Sequence, residues 1–340
     1  MKKILHIDGS EGEGGGQVLR TSLTMSMITG TPVRIENIRA KRSKPGLMRQ
    51  HLACVHAAQA VSDAKVSGAK VGSTSVTFEP KGIKAGDYRF AVGTAGSTTL
   101  IFQTVLPALV MADKASSLTL VGGTHNMWAP SFDFIALAYL PLLKQIGIDV
   151  DVQLEKHGFY PQGAGQWKAV VKPASTIESL EVNERGVLID REAMVTSSGV
   201  PDHVAERELN EIAKQCSWPE ASLKRRSVRA MGSGNILSLR LHYEACSEVI
   251  ESVGKVGLSA EKVANSAVKL LRRFLRAEVP VGEHLADQLL LPMVIGGGGV
   301  FRTVRPSQHT MTNRDVIHRF TDKRFKFTEL AMDRWEIRQT

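Results

Sequence analysis

Cysteine is scarce in this chain: Cys54, Cys216 and Cys246 lie far apart and form no CxxC pair. A disulfide framework and a zinc site are both disfavoured, and reduced thiols are expected. Aromatic residues make up only 6% of the sequence, which argues against a stacking platform of the kind that coats single strands. No apolar run reaches the roughly 18 residues that a membrane-spanning helix needs. The opening MKKILHIDG is basic, then apolar for a few residues before Asp8 and Gly9, and reads as a strand rather than a secretory signal. A soluble, unexported, cytoplasmic protein is the expectation, with no membrane partner. Two nucleotide signatures are also missing. The first glycine run is not followed by GKS or GKT, so it is no Walker A loop, and its spacing does not fit GxGxxG.

Positive charge, by contrast, is in excess. The formal net charge is +9, a balance that suits a phosphate-rich partner. Hydrophobic content of 43% is ordinary for a globular chain, and 340 residues suffice for one large domain or two smaller ones.

The pattern along the chain alternates strands and helices. Residues 3–7 read as a strand, 9–16 (GSEGEGGG) as a loop and 17–29 as a helix with Val18, Leu23 and Met27 on one face. A strand at 33–38 leads into the basic turn RAKRSKPG, and a helix is expected over 47–63. Helices are expected again at 97–112 and 132–146, with strands at 117–121 and 149–154. One echo suggests internal repetition: Gln103, Leu106 and Pro107 share a QxxLP spacing with Gln288, Leu291 and Pro292. From about 175 to 277 the text carries more charge and less glycine, and after Pro280 the earlier style resumes. That shift suggests a small α+β domain inserted into a larger repeated one.

Several segments can carry chemistry. Consecutive glycines allow backbone N–H groups to face an anion, and the helix that follows adds its dipole. Glu11 and Glu13 within that loop make sense beside phosphate when a hard divalent cation stands between. The turn holding Arg39, Lys41, Arg42, Lys44 and Arg49 supplies phosphate-compatible cations, with Gln50 and His51 next in line. Glu283 and Asp287 sit at i and i+4, sharing a helix face that could hold a metal or ribose hydroxyls. GFYPQGAGQ reads equally as a tight turn or as part of a nucleic-acid track. His309 lies among small polar residues in RPSQHTMTN.

Taken together these segments resemble the RNA 3′-terminal phosphate cyclase family. The matching text is DGSEGEGGGQVLR, IRAKRSKPGLMRQH, YRFAVGTAGSTT, GGTHN, HGFYPQGAGQ, VGEHLADQLLLPM and PSQHTMTN, in family order over nearly the whole chain. The resemblance implies an α+β fold: a large domain (1–182 and 280–340) of repeated βαβαββ units like the C-terminal domain of translation initiation factor 3, with a small inserted α+β domain (183–279). It implies ATP-dependent conversion of an RNA 3′-phosphate to a 2′,3′-cyclic phosphodiester, through histidine-linked AMP and with Mg²⁺ or Mn²⁺. The AMP-accepting histidine falls on His309 and the metal-linked glutamate on Glu13. Nucleotide contacts fall on Arg20, Arg42, Gln50 and Gln103, and on the loop Glu283, His284, Leu285, Ala286, Asp287 and Gln288. Where the family often carries tyrosine this chain has His284, so altered nucleotide affinity with retained activity is expected.

Two relatives of similar architecture are alternatives. A non-catalytic cyclase-like factor of ribosomal RNA processing would bind nucleotide without turnover, whereas His309 is present here in its PSQH context. Enolpyruvyl transferases share repeated βαβαββ units, but fold alone does not assign function. A lysine-type nucleotidyl transferase is disfavoured, because Asp8-Gly9 has His6 where the KxDG motif needs lysine.

Overall fold

The computed structural model describes residues 3–340. β1 (Leu5–Asp8) runs through the glycine loop into α1 (Gly16–Thr29). β2 (Val33–Glu36), α2 (Arg49–Ser62), β3 (Lys65–Ser67) and β4 (Val76–Glu79) follow. β1 and β2 are parallel, β4 is antiparallel to both β2 and β3, and the order is β1-β2-β4-β3. Parallel neighbours need a crossover, which α1 supplies.

The next sheet repeats this plan with β5 (Asp87–Ala91), α3 (Thr98–Val110), β6 (Ser116–Gly122), α4 (Phe132–Phe134), α5 (Leu140–Gln145), β7 (Val150–Lys156) and β8 (Gly165–Val171). Its order is β5-β6-β8-β7, with the same pattern of parallel and antiparallel pairs.

β9 (Leu180–Val182) opens a third sheet, but the chain leaves it at once. It builds β10 (Leu188–Ser198), α6 (Asp202–Cys216), β11 (Leu223–Ser227), β12 (Gly234–Tyr243), β13 (Ser247–Val253) and α7 (Ala260–Ala277), whose strands form a sheet of their own in the order β11-β10-β12-β13. The chain returns through α8 (Glu283–Ile295) to β14 (Gly299–Thr303), α9 (Gln308–Phe320), β15 (Phe325–Ala331) and β16 (Arg334–Gln339). β14 pairs parallel with β9, β16 antiparallel with β14 and β15, and the order is again that of the first two sheets. The described residues are therefore α+β, with four mixed four-stranded sheets.

α1 is buried from Val18 to Met27 apart from Arg20, and it packs on α2, α3 and α9. A helix enclosed by others has no solvent face to pattern, which is why its apolar spacing is weak in the sequence. The helix expected over 132–146 is divided: a π turn at Ile135–Tyr139 separates α4 from α5. Pro141 follows that turn, and without an N–H it cannot extend the regular i→i−4 ladder. Among the described residues no helix is long and apolar enough to cross a membrane.

Candidate active site

The glycine loop is shaped by what its missing side chains leave free. Gly12 and Gly14 occupy the left-handed region, with φ of 58° and 62°. A Cβ on Gly16 would lie 2.6 Å from His51 Nε2 and 2.8 Å from an Arg20 guanidinium nitrogen. A Cβ on Gly15 would strike the Glu13 carboxylate. The glycines thus let one carboxylate, one imidazole and the guanidinium groups of Arg20 and Arg42 converge at the start of α1.

The C-terminal helix locks onto the same loop. The Glu13 N–H donates to Thr312 Oγ1 at 2.9 Å, and Thr312 Oγ1 donates to the Gln308 carbonyl at 2.7 Å. Thr21 Oγ1 donates to Asn313 Oδ1 at 2.7 Å, while Asn313 Nδ2 donates to the Asp287 carbonyl at 2.6 Å. α1, α8 and α9 are therefore pinned by one buried asparagine.

His309 stands in the first turn of α9, whose N-cap Ser307 accepts from the Thr310 N–H. Its ring is exposed at the surface, yet its pKa lies below the ordinary value of 6.5. Partial desolvation is the largest cause. The charges of Arg20, His284 and Arg42 act the same way, and Glu283 opposes them. These neighbours favour the neutral imidazole, beside a helix N-terminus that favours anions. Arg42 makes an ion pair with Glu13. Burial lowers the pKa of Arg20, and its guanidinium donates to Gln17 Oε1 at 2.6 Å.

α3 and α8 contribute the remaining polar groups. Gln103 Nε2 donates to Gln288 Oε1, and Gln288 Nε2 donates to the His284 carbonyl at 2.8 Å. Burial pushes the Asp287 carboxyl up to about 7; Arg20 works against this and Glu283 adds to it. Leu285 and Ala286 are fully buried in the core, so Glu283, His284, Asp287 and Gln288 form the polar side of this turn. Gln50 lies one step further out, where its Oε1 accepts from the Ser97 N–H at 3.2 Å. Its neighbour His51 is driven down to about 3 by burial, then by Arg20 and Arg39, and accepts from the Met48 N–H through Nδ1.

The structure gathers Glu13, Arg20, Arg42, Glu283, His284, Asp287 and His309 around one cleft, with Gln103 and Gln288 behind it. Sequence reasoning missed Thr312, Asn313 and Arg273. The first two follow His309 at i+3 and i+4, a spacing that places them on its helix face. Arg273, on α7, pairs with Glu283 at 2.5 Å and with Asp333 at 2.7 Å. No local pattern marks it, because all its partners are distant in sequence.

A family model for RNA 3′-terminal phosphate cyclase matches residues 11–327, a span that includes every residue of this cleft. The chain belongs to that family. It is 44% identical over 327 residues to an RNA 3′-terminal phosphate cyclase of Koribacter versatilis (strain Ellin345), covering 96% of this chain and 92% of that protein. It is 45% identical over 341 residues to an RNA 3′-terminal phosphate cyclase of Ectopseudomonas mendocina (strain ymp), covering 99% of each. The matched residues, 11–327, include the segment 183–279 as well as the residues of the cleft.

Proposed function

We propose that this chain uses ATP to convert an RNA 3′-terminal phosphate to a 2′,3′-cyclic phosphodiester, releasing AMP and pyrophosphate. The observation that carries the reading is the place of His309 in the first turn of α9, where the charges of Arg20 and Arg42 favour its neutral form, in a chain of this family.

A phosphomonoester resists attack by its neighbouring 2′-hydroxyl because oxide is a poor leaving group. Adenylation removes that obstacle. The His309 lone pair attacks the α-phosphorus of ATP, and the bond to pyrophosphate breaks. Arg20 and Arg42 sit where they can balance the charge that develops on the phosphate oxygens. An oxygen of the RNA 3′-phosphate then displaces neutral His309 from the AMP phosphorus. The 2′-hydroxyl attacks the adenylated 3′-phosphorus, loses its proton and expels AMP, and proximity makes this last step fast. Gln103, Gln288, Asp287 and His284 line the side of the cleft suited to a nucleoside, and Gln50 extends it along the basic turn.

Glu13 is the chain's offer to a divalent cation. Its Oε2 is buried and has no hydrogen-bond partner, an acceptor left open in a loop built for phosphate. Among the described residues no group of three or more His, Cys, Asp or Glu side chains could hold a metal. A hard cation here would take one carboxylate and complete its shell with phosphate oxygens and water, as Mg²⁺ commonly does and Mn²⁺ can. Bound there, it would screen the departing pyrophosphate.

The common strand order of three sheets supports three βαβαββ units like the C-terminal domain of translation initiation factor 3, with 183–279 as an inserted domain. Three free thiols suit a reducing cytoplasm.

The test is incubation with ATP labelled at the α-phosphate. Label that stays on denatured protein in alkali, leaves in acid and is absent from His309→Ala supports the reading. ATP binding without covalent label would replace it with the non-catalytic, RNA-processing alternative.

A further inference from the structure

Among the described residues only two of the phenylalanine, tyrosine and tryptophan side chains are exposed: Trp128, 92% accessible, and Tyr160, 74% accessible. They lie on neighbouring loops. The N–H groups of Thr124 and His125 donate to the Gly158 carbonyl at 2.9 and 3.2 Å, and the Gly158 N–H donates to Thr124 Oγ1 at 2.9 Å. His125 and Phe159 pair as an isolated bridge, and the buried rings of His125 and Phe159 stand 5.7 Å apart. Trp128 follows that bridge by three residues and Tyr160 by one. The bases of both loops are thus fixed, while two aromatic faces are left in solvent. Trp128 is also held at a φ of 66°, a conformation that a bulky residue seldom adopts. Nothing in the packing of the fold accounts for either ring.

These loops connect to the adenylation cleft. Asn126 Nδ2 donates to the Ala95 carbonyl at 2.5 Å, and Gly163 lies so close to Ala95 that a Cβ would come within 2.6 Å of its Cα. Two residues beyond Ala95, the Ser97 N–H donates to Gln50, whose neighbour His51 abuts Gly16 and Arg20. The route is basic on both sides. Exposed Arg49 flanks Gly93 near the cleft, next to the turn carrying Lys41, Arg42 and Lys44. On the far side Gly232 packs against Gln162, which brings up exposed Arg229 and Met231.

We propose that Trp128 and Tyr160 form a stacking platform for the bases immediately upstream of the RNA 3′-phosphate, with Arg49 and Arg229 on its flanks. Bases offer a π face whatever their identity, so such a platform holds a single-stranded end without reading its sequence. The low aromatic content argued against a surface that coats long strands; two rings suffice to hold an end. The proposal rests on the cyclase reading for the identity of its ligand, but its test does not depend on turnover.

The experiment measures fluorescence anisotropy of a 5′-labelled, 3′-phosphorylated RNA oligonucleotide with Trp128→Ala, Tyr160→Ala and Trp128→Phe. Each alanine variant should weaken binding about tenfold, and the phenylalanine variant should retain most of the affinity. Abasic sites at the last two nucleotides should weaken the native protein by a similar factor and the double alanine variant little further. Covalent labelling by ATP without RNA reports that the variants are folded. Affinities within about twofold of native, or an abasic penalty undiminished in the double variant, would overturn the platform. Native protein that binds this RNA and never cyclises it would sink the cyclase reading and leave the binding comparison intact.

Discussion

Gln103 on α3 and Gln288 on α8, 185 residues apart, hydrogen-bond to each other through their side-chain amides. Each begins a QxxLP stretch, and in both helices the leucine and proline are buried. The textual echo is therefore a spatial one: equivalent turns of two helices meet. Gln103→Leu should remove the donor and leave Gln288 Oε1 unpaired in a partly buried position. We expect a loss of about 1–3 kcal/mol in urea unfolding and a raised KM for ATP. Unchanged stability and KM would show that the pair serves neither purpose.

The pH dependence follows from the surroundings of His309. A lowered pKa means the imidazole stays neutral to a more acidic pH than free histidine would. The acid limb of adenylation should therefore fall below pH 6.5. After desolvation, Arg20 is the largest cause. Arg20→Gln should move the limb to higher pH as well as lower the rate. A pH-rate profile in which the limb stays put, or moves to lower pH, would separate Arg20 from the tuning of His309.

How much of this was legible in the sequence differs by element. The glycine loop, the basic turn and the i, i+4 pair Glu283 and Asp287 were readable because each is local chemistry in consecutive text. Helix ends came out within a few residues, as at Arg49–Ser62 against an expected 47–63. The π turn at Ile135–Tyr139 was not legible, since its hydrogen-bond register is settled by packing and by Pro141 rather than by spacing. Arg273 and Asn313 were missed for a related reason. Asn313 bonds to residues of α1 and α8, and Arg273 to Glu283 on α8 and Asp333 in the turn after β15, partners that only the folded chain brings together. Trp128 and Tyr160 were visible as letters, but their exposure was not.

Gly16 gives the sharpest steric test. A Cβ there would press on both His51 and Arg20, so Gly16→Ala should displace the guanidinium next to His309. Its backbone is not in the left-handed region, so the helix itself should tolerate alanine. We expect covalent labelling to fall at least tenfold with little change in the unfolding midpoint; a rate shift of ΔΔG‡ about 1.4 kcal/mol corresponds to about tenfold. Native labelling by the alanine variant would mean the loop yields without consequence.

Glu13→Gln keeps the shape of the side chain and removes its charge. The Arg42 ion pair and the open acceptor Oε2 are lost together. The midpoint of a Mg²⁺ titration of adenylation should move to higher concentration, and Mn²⁺ should restore part of the rate. Titration curves that superimpose on the native ones would take Glu13 out of metal binding and leave it as a partner of Arg42.

Glu248, on β13, couples this cleft to pH in the opposite direction from His309. Its carboxylate lies at the start of α8, where Oε2 accepts from the Gly282 N–H at 2.8 Å. Burial raises its pKa from 4.5 to about 8, with hydrogen bonds from Gly282 and Val249 opposing. Between those two pH values the folded chain keeps a proton that the unfolded chain has released. Stability from this group is therefore full in acid and declines as pH rises toward about 8, by at most about 1.4 kcal/mol per pH unit. Glu248→Gln preserves an acceptor for Gly282 and abolishes the titration. Compared with the native protein, the variant should gain stability between pH 5.5 and 8.5 in urea unfolding. α8 carries Glu283 and His284 at this same end, so the native protein's ATP affinity should loosen over the same interval while the variant's holds. A native-minus-variant difference that is flat with pH would show that Glu248 does not carry a buried proton.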